Sequence, residues 1–281
     1  MSLFIAALNS GSNGNCYYIG NDEEAIFIDA GLACIEIERR MERLGLPMQR
    51  VKAIFISHEH KDHIFGVPTL AKKYKLPVYI TPTTHKHGGM RIADNQVLPF
   101  RQGNNVQIGK LLVTAFTKSH DAVDPHSFIV SSDEVTVGIF TDIGKPCKQL
   151  IHHFQQCHAA FLEANYDEDL LQRSSYPYFL KQRIQGDQGH LSNKQALDLF
   201  NQHRPPFMSH LILSHLSKEN NSPAIVENLF TEHAGEIKVI VASRVVETNL
   251  YHISHQPVAN ISLLKKLPVR KRPTVQLGLF D

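Results

Sequence analysis

The sequence predicts an α/β fold. Short apolar runs rich in β-branched and aromatic residues alternate with amphipathic segments of helical period. A cluster of histidine and aspartate directly follows one of those runs, at Ser57-His58-Glu59-His60-Lys61-Asp62-His63. No linker or low-complexity tract divides the 281 residues, a length that can bury a full core. The reading is therefore one domain over residues 1–255 and a basic tail over residues 256–281.

Taken in order, residues 3–8 read as a first strand, and Asn9 to Asn15 as a glycine- and asparagine-rich turn. Residues 16–19 and 25–29 continue an antiparallel meander. The turn lacks the Lys-Ser/Thr ending of a P-loop, so a connection between strands is the better reading. Ile37, Met41 and Leu44 mark an amphipathic helix stopped by Gly45 and Pro47. Residues 51–56 form a buried strand, Val67, Leu70, Ala71 and Tyr74 a helix, and residues 76–81 a strand. Further strands are expected within 106–116 and 126–142, then at 159–163 and 237–242. Ser192 with Gln195 is a capping box, and Ser222 with Pro223 opens a last helix.

The histidine cluster carries the chemistry. Four metal-capable side chains stand in the order His58-x-His60-x-Asp62-His63 at the end of a strand, where a rigid element can hold them. Residues two apart in extended chain share a face, so His58 and His60 can reach one ion together. Asp62 and His63 can be turned toward a second. Imidazole suits zinc and other first-row metals, and the carboxylate also admits manganese or iron.

This loop resembles the signature of the metallo-β-lactamase superfamily. The resemblance implies a four-layer αβ/βα sandwich with one or two metals at the open end of the sheets. It also implies further ligands, which this sequence supplies as His120 in Lys118-Ser119-His120-Asp121, Asp142 after residues 139–141, and His215 after residues 211–214. On that resemblance, one ion takes His58, His60 and His120, the other Asp62, His63 and His215, and Asp142 bridges. Two divalent cations, manganese or zinc, are the expected cofactors, a pairing suited to phosphodiester hydrolysis.

His190 sits immediately before the capped helix start, where backbone N–H groups favour a phosphate. It resembles the non-ligand histidine of ribonuclease Z-like phosphodiesterases, and Glu163-Ala164 their Glu-Ala motif, with Glu163 orienting His190. Asp62, His190 and Glu163 are thus the expected catalytic group. Lys181, Arg183 and Lys194 flank His190 in sequence and are candidate nucleic-acid contacts, with Arg173, Tyr176 and Tyr178 upstream. His126, His152, His153, His158, His203 and His210 read as surface or satisfied groups, and Asp29 as a support for the metal loop.

Five stretches together, at residues 10–16, 119–122, 163–167, 186–193 and 214–221, resemble the YycJ/WalJ-type bacterial proteins. That likeness runs from about residue 3 to residue 250. It implies a 5′→3′ exonuclease on double-stranded DNA in repair or replication-linked processing. His126 departs from it, since a small apolar residue is expected there. The interval from Asp142 to His190 is too short for a ribonuclease J-type cap domain. The other readings are a ribonuclease or small cyclic-phosphodiester hydrolase using the same centre, and a non-catalytic clamp-binding scaffold.

Net charge is only +2, so composition by itself does not point to nucleic acid. Cys16, Cys34, Cys147 and Cys157 form no CxxC pair, which reads as a reduced, cytoplasmic chain. No run reaches membrane-spanning length. The tail is basic at Lys265, Lys266, Arg270, Lys271 and Arg272, and ends in Gln276-Leu277-Gly278-Leu279-Phe280-Asp281. Gln276, Leu277, Leu279 and Phe280 resemble the short peptide by which bacterial repair proteins dock on the sliding clamp, the expected second partner beside a DNA duplex end.

Overall fold

A computed structural model describes residues 2–255. The strands are β1 (Leu3–Asn9), β2 (Cys16–Gly20), β3 (Ala25–Ile28), β4 (Val51–Phe55), β5 (Val78–Tyr79), β6 (Val97–Leu98), β7 (Asn105–Ile108), β8 (Leu111–Thr117), β9 (His126–Ser132), β10 (Val135–Phe140), β11 (Ala159–Glu163), β12 (His210–Ser214), β13 (Lys238–Val241) and β14 (Tyr251–Ile253). The helices are α1 (Cys34–Arg43), α2 (Lys61–Ile64), α3 (Val67–Tyr74), α4 (Pro82–Gly88), α5 (Lys148–Phe154), α6 (Glu168–Arg173), α7 (Tyr178–Gln185), α8 (Asn193–His203) and α9 (Pro223–Ala234).

Among the described residues the strands form two seven-stranded sheets, ordered β14-β1-β2-β3-β4-β5-β6 and β13-β12-β11-β10-β9-β8-β7. Each sheet is antiparallel on one side and parallel on the other, with β3 to β6 parallel in the first and β10 to β13 in the second. A parallel run needs both faces covered. Accordingly β11 is buried at all of its positions.

The inner faces meet in one apolar layer, where Phe55 of β4 packs edge-on against Phe128 of β9 with ring centroids 5.8 Å apart. Tyr17 of β2 meets Phe161 of β11 at 5.0 Å. The outer face of the first sheet is covered by α1 and α3, through Ile37, Met41, Val67 and Leu70. That of the second is covered by α5, α8 and α9, through Phe154, Phe200 and Phe230. This is the expected αβ/βα sandwich.

The expected strand at 76–81 shrinks to Val78–Tyr79. The amide of Leu76 still bonds to Ala71 at the end of α3, and Thr81 with Pro82 opens α4. The capping box forms as read, with Ser192 and Gln195 satisfying each other's amides. No helix among the described residues is long and apolar enough to cross a membrane.

Phe128 touches both sheets and Phe100 as well. Phe128→Ala is expected to cost about 3–5 kcal/mol, read as a lower midpoint in denaturant unfolding with unchanged slope.

Candidate metal centre

The candidate residues lie at or just beyond strand ends on one rim. Asp29 follows β3, the 57–63 loop follows β4, His120 follows β8, Asp142 follows β10, Glu163 ends β11 and His215 follows β12. Asp29, Asp142 and His215 adopt left-handed backbone, with φ of 59°, 56° and 58°. A left-handed residue directly after a strand breaks the two-residue alternation and re-aims its side chain. Such conformations cost about 1–3 kcal/mol each and persist only where the surroundings enforce them.

Close backbone packing enforces them here. A Cβ on Gly31 would lie 1.7 Å from the carbonyl oxygen of Asp62, so only glycine lets this strand end pass under the metal loop. On the other side the amide of Gly144 donates to the carbonyl of Ser119 at 2.7 Å, tying the Asp142 turn to the His120 loop.

The structure brings the seven predicted ligands together in overlapping groups. His58, His60 and His120 form one, and Asp62, His63 and His215 another; in each, the ligand atoms lie within 4.8 Å of one another. Asp142 stands between them, its carboxylate 3.4 Å from His63 Nε2, 3.4 Å from His215 Nε2 and 3.9 Å from His120 Nε2.

The ring orientations follow from what holds each Nδ1. His63 Nδ1 bonds to Asp29 Oδ2 at 2.7 Å, His120 Nδ1 to the Gly189 carbonyl at 3.1 Å, and His215 Nδ1 to Glu163 Oε1 at 2.9 Å. Carboxylates and carbonyls only accept, so each of these rings donates from Nδ1 and turns Nε2 inward, the nitrogen that a cation would take. Asp29 also accepts from the amide and hydroxyl of Ser57, which fixes the root of the loop.

This arrangement fits cations. His120 Nε2, His215 Nε2 and Asp142 Oδ2 are buried with no hydrogen-bond partner, at a cost of about 1–3 kcal/mol each if left so. Burial holds His58 well below the usual imidazole range and His120 down at about 4, so both are neutral donors at pH 7. At the second group, burial again opposes charge, but Asp142, Asp62 and Glu163 overcome it and lift His215 to about 10. Asp142 and Asp62 are themselves held down, against burial, by the histidines around them. The cluster has a surplus of negative field that divalent cations would satisfy.

His190 lies outside those two groups and falls in a further one with Asp142, Glu163 and His215, whose potential ligand atoms are also within 4.8 Å of one another. Its ring centroid is 5.2 Å from those of both His120 and His215. Glu163 Oε1 accepts from its Nδ1 at 2.8 Å, while Oε2 accepts from the Ile143 amide at 2.7 Å. Burial works against the Glu163 charge, yet His190 and His215 hold the carboxyl at about 2.

The three candidate nucleic-acid contacts are placed differently. Lys181 donates to the carbonyl of Gln172, Arg183 bonds to Asp121 Oδ2 at 2.6 Å, and Lys194 is exposed in the first turn of α8. His126 is buried edge-on against Phe100, and its amide donates to the carbonyl of Ser57, so the departure from the expected small residue is absorbed by packing. His158 is buried and accepts from the Thr136 amide. The clamp-like residues 276–281 lie outside the described residues.

Sequence reasoning missed three supports. Asn15, in the glycine-rich turn, places its amide nitrogen 3.1 Å from Asp62 Oδ2. Ser10 accepts from the His215 amide at 2.8 Å. Lys118 is buried, donates to the Thr141 carbonyl and lies 4.0 Å from Asp142. A polar turn between strands and a charge ending a strand were the available signals, and neither names its partner.

The family model of the metallo-beta-lactamase superfamily matches residues 10–178. The exodeoxyribonuclease YycJ of Bacillus anthracis is 33% identical over 224 residues, 79% of this chain and 85% of that protein. The exodeoxyribonuclease WalJ of Streptococcus pneumoniae is 33% identical over 220 residues, 76% of this chain and 81% of that one. Among solved structures, the metallo-beta-lactamase fold protein YhfI of Bacillus subtilis superposes with a TM-score of 0.67 at 15% identity, covering 88% of this chain and 99% of its own. Sequence and fold agree: the chain belongs to the metallo-beta-lactamase superfamily, on the branch that holds the YycJ and WalJ exodeoxyribonucleases.

Proposed function

We propose that the chain hydrolyses phosphodiesters with two divalent cations, manganese or zinc, as a 5′→3′ exonuclease on double-stranded DNA. The observation that carries this reading is the pair of ligand groups around Asp142, with His190 beside them and its Nδ1 held by Glu163. The two relatives of matching length are exodeoxyribonucleases by name, which supports DNA as the polymer.

His58, His60 and His120 would hold one cation, Asp62, His63 and His215 the other, with Asp142 between. Bound there, such a pair supplies Lewis acidity and a water activated at neutral pH. The chain's own groups do the rest. Glu163 fixes the His190 tautomer, so Nε2 is the nitrogen free to give or take a proton. The start of α8, two residues beyond His190, is closed by its own capping box, and the Asn193 amide donates to the Tyr166 carbonyl, so it anchors the segment that carries His190. Replication-linked repair in the cytoplasm is the setting this reading assigns.

Duplexes labelled at the 5′ or the 3′ end, assayed in manganese, are expected to lose the 5′ label first as mononucleotide. Asp142→Ala is expected to abolish that activity and lower bound metal by elemental analysis. Activity that survives the substitution refutes the centre.

His190→Ala is expected to keep its metal content while turnover falls by roughly 10²–10⁴, the range for a positioned acid or base. Loss of metal instead would make His190 a ligand.

The tail is proposed to tether the enzyme to the sliding clamp through Gln276, Leu277, Leu279 and Phe280, raising its local concentration at DNA. Deleting residues 275–281 is expected to abolish clamp pull-down and leave hydrolysis of short duplexes intact. Undiminished pull-down ends the idea.

A further inference from the structure

Helix α7 buries none of its residues. Tyr178 is 77% exposed and Phe179 71%, two large rings at successive positions of this helix. Exposed aromatic clusters of this kind mark contact sites. What fixes α7 is the metal centre's own rim. Arg183 bonds to Asp121, whose other carboxylate oxygen lies 3.4 Å from His120 Nε2, and the carbonyl of Ile184 accepts from the amide of His190.

Phe179 and Arg183 are four residues apart, so they share a helix face with Cβ atoms roughly 6 Å apart. The ring therefore stands one helical turn from a side chain that touches the ligand loop. A cleft of about 530 Å³ is lined by Gln182 and Arg183 of α7 together with Asp121 and Lys145.

We infer that Tyr178 and Phe179 form a stacking platform for unpaired bases of the strand entering the site, so the bound substrate is a DNA end with a single-stranded or frayed terminus. This rests on the nuclease reading above and adds the form of DNA the site accepts. Arg173, Lys181 and Arg183 on this segment are offset by Asp167, Glu168, Asp169 and Asp187 at its two ends, so net charge here gives a phosphate backbone little hold.

The rim cations argue for bases over a duplex backbone. Arg183 is paired with Asp121 and Lys145 with Asp187, so both cations that line the cleft beside α7 are already neutralised. Exposed rings recognise the faces of splayed bases regardless of sequence.

The test uses the full chain with metal chelated, so binding is read without cleavage. The probes are a blunt duplex and the same duplex with a short unpaired tail containing 2-aminopurine, whose fluorescence is quenched by stacking. The wild type is expected to bind the tailed duplex more tightly and quench it. Tyr178→Ala/Phe179→Ala is expected to bind the tail about tenfold or more weakly and lose the quench. Its blunt-duplex affinity, metal content and melting temperature should stay unchanged, and Phe179→Trp should retain tail binding.

Equal tail affinity and quench in the double variant overturn the platform. So does a wild-type dimer that the double variant dissociates with DNA affinity unaltered, which would assign the rings to self-association. Cleavage of end-labelled DNA by the metal-loaded wild type is scored separately. Cleavage with no effect of the double variant removes only the platform, and stacking without cleavage removes only the nuclease reading.

Discussion

A carboxylate buried among imidazoles at the shared mouth of two sheets is what the rest of the structure has to hold in place. Asp142 is 2% exposed and lies within 4 Å of His63, His215, His120 and Lys118. Moving it by one residue along β10 would point its side chain to the opposite face. Its left-handed backbone, the tie from Gly144 to Ser119 and the inter-sheet aromatic layer all act against that slip. Stability invested in the core thus becomes positional accuracy at the rim.

Two buried carboxylates that hold histidine Nδ1 atoms do comparable work on opposite sides. Asp29 gathers Ser57 and His63 of the first sheet. Glu163 gathers His190 and His215 of the second, together with the amide of Ile143. Because an ionised carboxylate can only accept, each settles which nitrogen its histidine presents. Glu163 Oε1 is shared by His215 and His190. On the proposed assignment, the carboxylate that orients a ligand of one cation therefore also fixes the tautomer of His190.

Much of this was legible because it is local. His58, His60, Asp62 and His63 fall within six residues, and the short buried strand before them announces a rigid base. The cap at Ser192 and the proline after Ser222 are likewise written in neighbouring residues. Glu163 and His190, 27 residues apart, could be paired only through family likeness, because parallel strand order is not local information. Asn15, Ser10 and Lys118 escaped notice for the same reason, since their roles exist only once the turn after β1 meets the ends of β4 and β12. Helix α7 gave no periodic signal because it has no buried face, and the strand at 76–81 was overread because its apolar residues are shared between the end of α3 and the start of α4.

Charge placement bears on how such a site could work on a polyanion. Of the 29 basic residues five lie in the final 26 positions beside one of the 27 acidic residues, so residues 1–255 carry 24 basic against 26 acidic side chains. A body that is slightly acidic overall gains little from long-range attraction to DNA, and several cations nearest the site are already paired. Affinity must then come from short-range terms, such as cations held between carboxylates and exposed rings. Such terms act on a strand end that can be bent and splayed, and far less on the middle of a duplex. The electrostatics of the body therefore favour a terminus over an internal site, which is the preference an exonuclease requires.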